Sequence, residues 1–336
     1  MSSGGFAGLK VFRNGITVGV MSPSSSKSRM SRRAALRLLG SATLLAGGRN
    51  VMAAVSGEAP RATPLLTRAI PSTGAQIPVI GLGTWQTFDV GSGDAERAPI
   101  EAVLREFAAL GGRVLDSSPM YGQSEEVAGD LMAKNALREK LFVATKVWIS
   151  GRDAGIAQMN DSIRKLRAGK IDLMQVHNLL DVGAHLDTLR SWKKDGRIRY
   201  LGVTHYTASG AEAVAKLIQS EVVDFVQVAY SVSERDAEKR LFDLARDKGV
   251  AVIANRPLGG GDLIRRQVGK PLPAWAAEID CTSWAQLLLK FVVSHPAITV
   301  AIPATSKVTH LRDNMRAGIG RLPDENLRSR IAAAVA

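Results

Sequence analysis

The chain lacks what several whole classes of protein are built from. One cysteine, Cys281, among 336 residues excludes a disulfide framework and a cysteine-built metal cluster. The other usual metal ligand is scarce too. Of five histidines, His185, His205, His295 and His310 stand far apart and off any metal spacing, so no metal site is expected. No uncharged apolar run approaches the roughly 20 residues that span a bilayer, which argues against an integral membrane protein. Acidic residues are missing altogether from residues 1–55. What is present is ordinary for a globular chain, 46% hydrophobic and 22% charged, so disorder along most of the length is excluded.

The missing acids relocate the net charge of +13. Lys10, Arg13, Lys27, Arg29, Arg32, Arg33, Arg37 and Arg49 supply eight of those charges and leave +5 for everything after residue 55. Beyond that point bases and acids are mixed along helical stretches, as on a solvated surface, so no nucleic-acid partner is expected. Ser31-Arg32-Arg33 precedes the uncharged stretch Leu38–Gly48, and small residues follow at Val51-Met52-Ala53-Ala54. A basic segment, a short apolar segment and a small-residue site, in that order, make a secretory signal. The paired arginines resemble a twin-arginine signal, which implies the twin-arginine export machinery as a partner and a periplasmic location. An uncleaved basic tail on a cytoplasmic protein is the alternative. The expected organisation is an upstream extension over 1–29, with Met30 as an alternative start, a signal peptide over 30–55, a linker over 56–74, and one domain over 75–336.

Within that domain strand-like and helix-like segments alternate. The strands are expected at 78–84, 114–117, 141–147, 171–177, 200–205, 225–230, 250–255 and 298–304. They are rich in Val, Ile and Leu with little alternation, as for strands covered on both faces. Amphipathic stretches at 102–109, 127–133, 156–166, 186–194, 211–218, 240–246 and 284–293 lie between them. Eight strands with intervening helices over about 250 residues predict an α/β protein, a single-domain (β/α)8 TIM barrel. The runner-up is an open doubly wound sheet. Its dinucleotide-binding form needs G-x-G-x-x-G, and Gly81-Leu82-Gly83-Thr84-Trp85 has only the first two glycines.

A barrel puts its chemistry at the C-terminal ends of its strands. Asp116, Lys146 and His177 each close a strand-like run, and Tyr121 follows Asp116 by five residues. Ionisable groups at the ends of apolar strands are costly unless they partner one another. Together they suit proton donation to a carbonyl oxygen. The Lys146 ammonium is expected to lower the pKa of Tyr121, Asp116 to hold Lys146, and His177 to orient the substrate oxygen. Such an acid requires a hydride donor, so a nicotinamide cofactor is implied.

These residues carry a resemblance. Asp116-Ser-Ser-Pro-Met-Tyr121-Gly122 with Glu125, Glu126 and Gly129 resembles the active-site segment of the aldo-keto reductases. So do Gly81–Trp85, Lys146, His177, Leu201–His205, Gln227 before Tyr230, and Ile302–Lys307 through Asn314, in family order over about residues 75–320. The resemblance implies a monomeric, NADPH-dependent reductase of small-molecule aldehydes or ketones, with NADH as the alternative cofactor. It implies a catalytic tetrad of Asp116, Tyr121, Lys146 and His177. It places Thr204, His205 and Gln227 at the nicotinamide carboxamide and Asn255 at the nicotinamide face. Pro257, Leu258 and Gly259, in the glycine-rich loop, would wrap the pyrophosphate. Thr305, Ser306, Lys307, His310 and Asn314 would hold the adenosine end, with Gly83 and Thr84 also lining the cofactor and Trp85 and Trp148 lining the substrate pocket.

Departures from the family pattern keep other readings open. Thr204-His205 replaces the usual Ser-Asn, Asn255 replaces a stacking aromatic, and Ala304 and His310 stand where Lys and Arg are usual. Lys307, and Arg312 as an alternative, are the remaining cations there. The last helix runs close to Ala336, which implies an open pocket. A barrel that senses nucleotide with little turnover is one competing function. A Schiff-base lyase using Lys146 is another.

Overall fold

The computed structural model describes residues 64–335. The segments assigned to 1–29 and 30–55 lie outside these residues. Eight parallel strands follow one another in chain order: β3 (Leu82–Gly83), β4 (Val114–Asp116), β5 (Phe142–Val147), β6 (Ile171–His177), β7 (Ile198–His205), β8 (Phe225–Ala229), β9 (Ala251–Asn255) and β10 (Ile298–Ala301). Each pairs with the next, and bridges from Ile80 to Ala301 and from Gly83 to Ala304 join the last to the first. The sheet therefore closes into the (β/α)8 barrel expected from the alternation of segments. The helices α1 (Asp94–Ala109), α2 (Ser124–Lys134), α3 (Arg152–Lys165), α4 (Val182–Lys194), α5 (Gly210–Ser220) and α6 (Leu241–Asp247) form the outer layer. The short α7 (Asp262–Arg265), then α8 (Trp284–Ser294), α9 (Val308–Arg316) and α10 (Glu325–Val335), complete it.

Two-residue periodicity sorts the strand residues between two cores. Val114, Phe142, Leu173, Tyr200, Phe225 and Ile253 point inward and form the apolar interior. Asp116, Lys146, His177, Thr204, Gln227 and Asn255 lie two or four residues further along the same strands, so they share the inward face at the C-terminal end. The intervening residues, such as Val143, Met174, Val203 and Val226, pack under the helices. Below the polar layer Phe142 stacks on Tyr200 at 5.7 Å, and Tyr200 meets Phe225 edge-on at 5.4 Å. The interior is filled, and chemistry is confined to one mouth.

The other mouth is closed by an element that the linker assignment over 56–74 did not foresee. The strands β1 (Thr67–Ala69) and β2 (Gln76–Pro78) form an antiparallel hairpin. It inserts Ile70 and Ile77 into the interior core. Thr73 Oγ1 lies 2.8 Å from the Tyr200 hydroxyl, and Arg68 donates to the carbonyls of Val293 and His295 at 2.7 and 2.6 Å. Strands of three residues are too short to show alternation in a sequence.

Two glycines are required by close approach. A Cβ on Gly129 would stand 2.0 Å from the Lys165 carbonyl oxygen where α2 crosses α3. Inside the barrel, a Cβ on Gly202 would stand 2.7 Å from the Phe225 carbonyl oxygen.

Candidate active site

Lys146 is fully buried, and its Nζ donates to Asp116 Oδ2 at 2.7 Å and to the Ser117 carbonyl at 2.6 Å. Burial by itself favours the neutral amine. The Asp116 carboxylate and the Tyr121 phenol outweigh it, so the Lys146 pKa lies above its ordinary value. The group is a fixed ammonium. An amine held this way is a poor Schiff-base nucleophile, which counts against the lyase reading.

Tyr121 sits in the loop from β4 to α2, where its N–H donates to the Ser118 carbonyl at 3.0 Å. Lys146 Nζ lies 5.1 Å from the Tyr121 ring centre. The ammonium does lower the phenol pKa, as the sequence predicts, but other influences outweigh it and the net movement is upward. Burial is the largest influence and raises the pKa, the Lys146 charge opposes it, and the Asp116 charge adds to it. Desolvating a phenolate costs more than one partly shared cation returns.

His177 meets Tyr121 edge-on, with ring centres 6.3 Å apart and planes at 87°. Its Nδ1 lies 3.2 Å from Ser118 Oγ. Burial, then the Lys146 charge, push its pKa down to about 3. The imidazole is therefore neutral near pH 7, with Ser118 setting which nitrogen faces the mouth.

The second carboxylate oxygen of Asp116 accepts from Gln227 Nε2 at 2.8 Å and from Gln175 Nε2 at 3.4 Å. Gln227 Oε1 in turn accepts from Thr204 Oγ1 at 3.3 Å and Asn255 Nδ2 at 3.4 Å. Thr204, Gln227 and Asn255, which the resemblance places at the nicotinamide, thus form a line of hydrogen bonds ending on Asp116. Asn255 Oδ1 is buried and has no partner among the described residues. The His205 ring folds over its own loop instead, with Nδ1 3.1 Å from Thr207 Oγ1 and Tyr206 stacked on it at 6.0 Å.

The remaining predicted residues lie around the same mouth. Thr84 Oγ1 donates to Ser117 Oγ at 2.9 Å, and a Cβ on Gly83 would stand 3.0 Å from the Ile302 carbonyl. Pro257, Leu258 and Gly259 follow β9 in the loop leading to α7. Thr305 Oγ1 accepts from the Lys307 N–H at 3.1 Å, opening α9. Ser306, Lys307 and His310 are exposed there, while Asn314 is buried. Arg312 is engaged elsewhere, donating to Glu106 on α1 at 2.6 Å. Glu125 lies outside the barrel wall, where Thr145 and Ser162 donate to it. Its carboxyl is pushed up by burial.

Of the described residues, eight large hydrophobic side chains are exposed: Trp85, Leu110, Met120, Trp148, Ile149, Tyr206, Val222 and Val268. Five of these, Trp85, Met120, Trp148, Ile149 and Tyr206, follow the C-terminal ends of β3, β4, β5 and β7. Apolar surface gathered at one mouth marks a binding site. Trp85 and Trp148 are the two of these that the sequence reading singles out. Met120, Ile149 and Tyr206 are not singled out, though each is a loop residue just past a strand end. Ser118, Gln175 and the Ser117 carbonyl also escaped sequence reasoning. Gln175 carried a signal, being a polar residue two positions before His177, between the apolar Met174 and Val176.

A neutral phenol, a buried ammonium and a neutral imidazole at one apolar-rimmed mouth can deliver a proton to a carbonyl oxygen. The chain is 29% identical to methylglyoxal reductase YeaE of Escherichia coli (strain K12), over 71% of this chain and 84% of that protein. It is 31% identical to an aldo-keto reductase of Mycobacterium sp. (strain JLS), over 65% of this chain and 76% of that one. Its fold matches an aldo-keto reductase from Klebsiella pneumoniae in complex with NADPH, with a TM-score of 0.66 and 24% identity, covering 82% of this chain and 95% of that one. Residues 79–334 match the model of the aldo/keto reductase family, and with the barrel and its ordered mouth residues this places the chain in that family.

Proposed function

We propose that the chain reduces small aldehydes or ketones to alcohols with NADPH, and that Tyr121 is the proton donor. The observation that carries this is the meeting of Tyr121, Lys146, Asp116 and His177 at the apolar-rimmed mouth. Relatives named methylglyoxal reductase and glyoxal reductase suggest short dicarbonyls as substrates. The residues present fit a nicotinamide nucleotide. Asn255 Oδ1 is a buried acceptor without a partner beside the Asp116 line, and a glycine turn follows it. Thr204, Gln227 and Asn255 would hold the nicotinamide end, and Lys307 with His310 the adenosine end. When bound, the nucleotide supplies the hydride.

The chain's own residues manage the proton. His177 Nε2, in its neutral form, donates to the substrate oxygen and orients it. Tyr121 is fully protonated at neutral pH, as an acid must be. It releases its proton to an oxygen that becomes more basic than a phenolate as negative charge develops. Lys146 then stabilises the phenolate, and Asp116 keeps Lys146 aimed.

A pH profile follows from these directions. The required phenol form persists up to its raised pKa, above the ordinary 10.0, and the required neutral imidazole persists down to about 3. The kcat/KM for reduction should therefore stay level across the neutral range and fall only in strongly alkaline buffer. A limb near the ordinary histidine pKa of 6.5 would count against the assigned environment of His177.

The direct test titrates the protein with NADPH and NADH by nucleotide fluorescence, then follows NADPH oxidation with methylglyoxal and a panel of carbonyls. Binding with turnover is the expected result. Tight binding without turnover on any carbonyl would favour the sensor reading, and absence of binding would end both. We also propose, from Arg32-Arg33 and the apolar stretch behind them, that the leader directs twin-arginine export to the periplasm. Cell fractionation with a substituted Arg32-Arg33 pair tests it.

A further inference from the structure

The end of the barrel away from Tyr121 holds a cavity of its own. Its volume is about 560 Å³, within the range of small-molecule sites. Gln76 and Ile77 of the β1–β2 hairpin line it, with Phe142 and Tyr200 from the interior core. Four cations face it, Arg113, Arg138, Lys170 and Arg199, against two acids, Asp172 and Glu139. The cations belong to four neighbouring strands. Arg113 immediately precedes β4, Arg138 lies shortly before β5, Lys170 immediately precedes β6, and Arg199 is the second residue of β7.

One of the four is spent on the scaffold. Arg138 donates to the carbonyls of Ala168 and Leu141, each at 3.0 Å, to that of Lys170, and to Asp172 Oδ2 at 3.1 Å. Asp172 is buried and also accepts from the Val143 N–H at 2.9 Å. These bonds fix the loops before β5 and β6 in one shape. The other three cations are left over. Among the described residues the side chains of Arg113 and Lys170 make no hydrogen bond and no ion pair. Arg199 faces Asp172 Oδ1 through Nη1 alone, at 3.3 Å. Cations at this end of a barrel have one ordinary use, answering the carbonyl ends of helices. Lys134, Lys165 and Lys194 stand in the last turns of α2, α3 and α4 for that. Arg113, Lys170 and Arg199 lie in no helix. Like charges gathered around one cavity repel, and an anion that enters relieves the repulsion.

We propose that this cavity binds a small polyanion, one that carries two or more phosphate or carboxylate groups, between Arg113, Lys170 and Arg199. Neighbouring strands stand about 4.8 Å apart, so the arc from β4 to β7 spans roughly 14 Å. A single oxyanion is too small to meet cations at both ends of it, whereas a ligand with separated anionic groups is not. The two guanidinium forks each match a pair of phosphate or carboxylate oxygens. The site lies at the opposite end of the barrel from the tetrad, so it stands independently of the reductase reading.

The test titrates the full chain with pyrophosphate and with citrate by calorimetry, at an ionic strength held constant with sodium chloride, and melts each sample with and without the anion. The parent should bind at least one of the two saturably, and that anion should raise its melting temperature. The tighter of the two shows whether phosphate or carboxylate groups are preferred. Arg113→Gln, Lys170→Gln and Arg199→Gln should each weaken binding about tenfold. Without the anion all three should melt no lower than the parent, because each loses a crowded cation and no buried partner. Lys307→Gln, at the other mouth, should bind as the parent does. Absence of binding by both anions overturns the site. A loss in Lys307→Gln with none in Arg113→Gln places the anion at the active mouth and overturns it too. Equal stabilisation by sodium chloride at the same ionic strength reduces the effect to screening, and lowered anion-free melts in the three variants mark structural cations; either result overturns the proposal.

Discussion

Tyr121→Phe is expected to lower kcat for aldehyde reduction by about a hundredfold to ten-thousandfold, the range that a positioned acid contributes. The substitution removes one oxygen and keeps the ring that meets His177 edge-on at 6.3 Å. NADPH affinity should therefore change little. Because the phenol is neutral in the free protein, no buried charge is lost, and the melting temperature should hold. Stopped-flow turnover, fluorescence titration and a thermal melt read the three quantities separately. Turnover close to the parent's would remove Tyr121 from the acid role, while a joint loss of turnover and folding would mean that the hydroxyl is structural.

Lys146→Met is expected to damage the fold as well as the chemistry. Methionine nearly matches the length of the side chain and carries no charge. It leaves Asp116, only 2% exposed, with Gln227 and Gln175 as its hydrogen-bond donors and leaves the Ser117 carbonyl without the Nζ donor. Breaking a buried pair from one side typically costs about 3–5 kcal/mol, because the surviving charge is stranded. For a domain of this size that lowers the melting temperature by roughly 10 °C. The double variant Asp116→Asn, Lys146→Met removes the stranded charge and should regain much of the stability without regaining turnover. Calorimetry of the two variants against the parent decides the matter. Equal melting temperatures for Lys146→Met and the parent would show that the pair is not energetically coupled as its 2.7 Å separation implies. Borohydride treatment of the parent with a carbonyl substrate should trap nothing on Lys146, since the amine is held as its cation.

Much of this architecture was legible before any coordinates. The expected strand at 171–177 coincides with Ile171–His177, and the expected helix at 284–293 with all but the last residue of Trp284–Ser294. Both stretches are long, apolar and periodic, and local pattern is enough for such segments. The placing of Asp116, Lys146 and His177 at one rim was legible for a related reason. A charged residue ending an apolar strand is rare enough to stand out, and a barrel sends all such ends to one mouth. The hairpin at Thr67–Pro78 was not legible, because its two strands are three residues each and its role is to plug a hole that exists only once the barrel has closed.

What the chain order alone determined is the alternation of segments, their closure into a barrel, and the identity of the residues at its C-terminal rim. These depend on periodicity and on which residue types follow which, and both are properties of the string. What only the tertiary structure decided is the electrostatic balance there. The Tyr121 pKa moves up and not down, Gln227 spends its amide on Asp116, and Arg312 is taken by Glu106. Each of these outcomes sets desolvation against partners that lie tens to hundreds of residues away in sequence. Burial and through-space distance enter that balance, and neither can be read from neighbours along the chain.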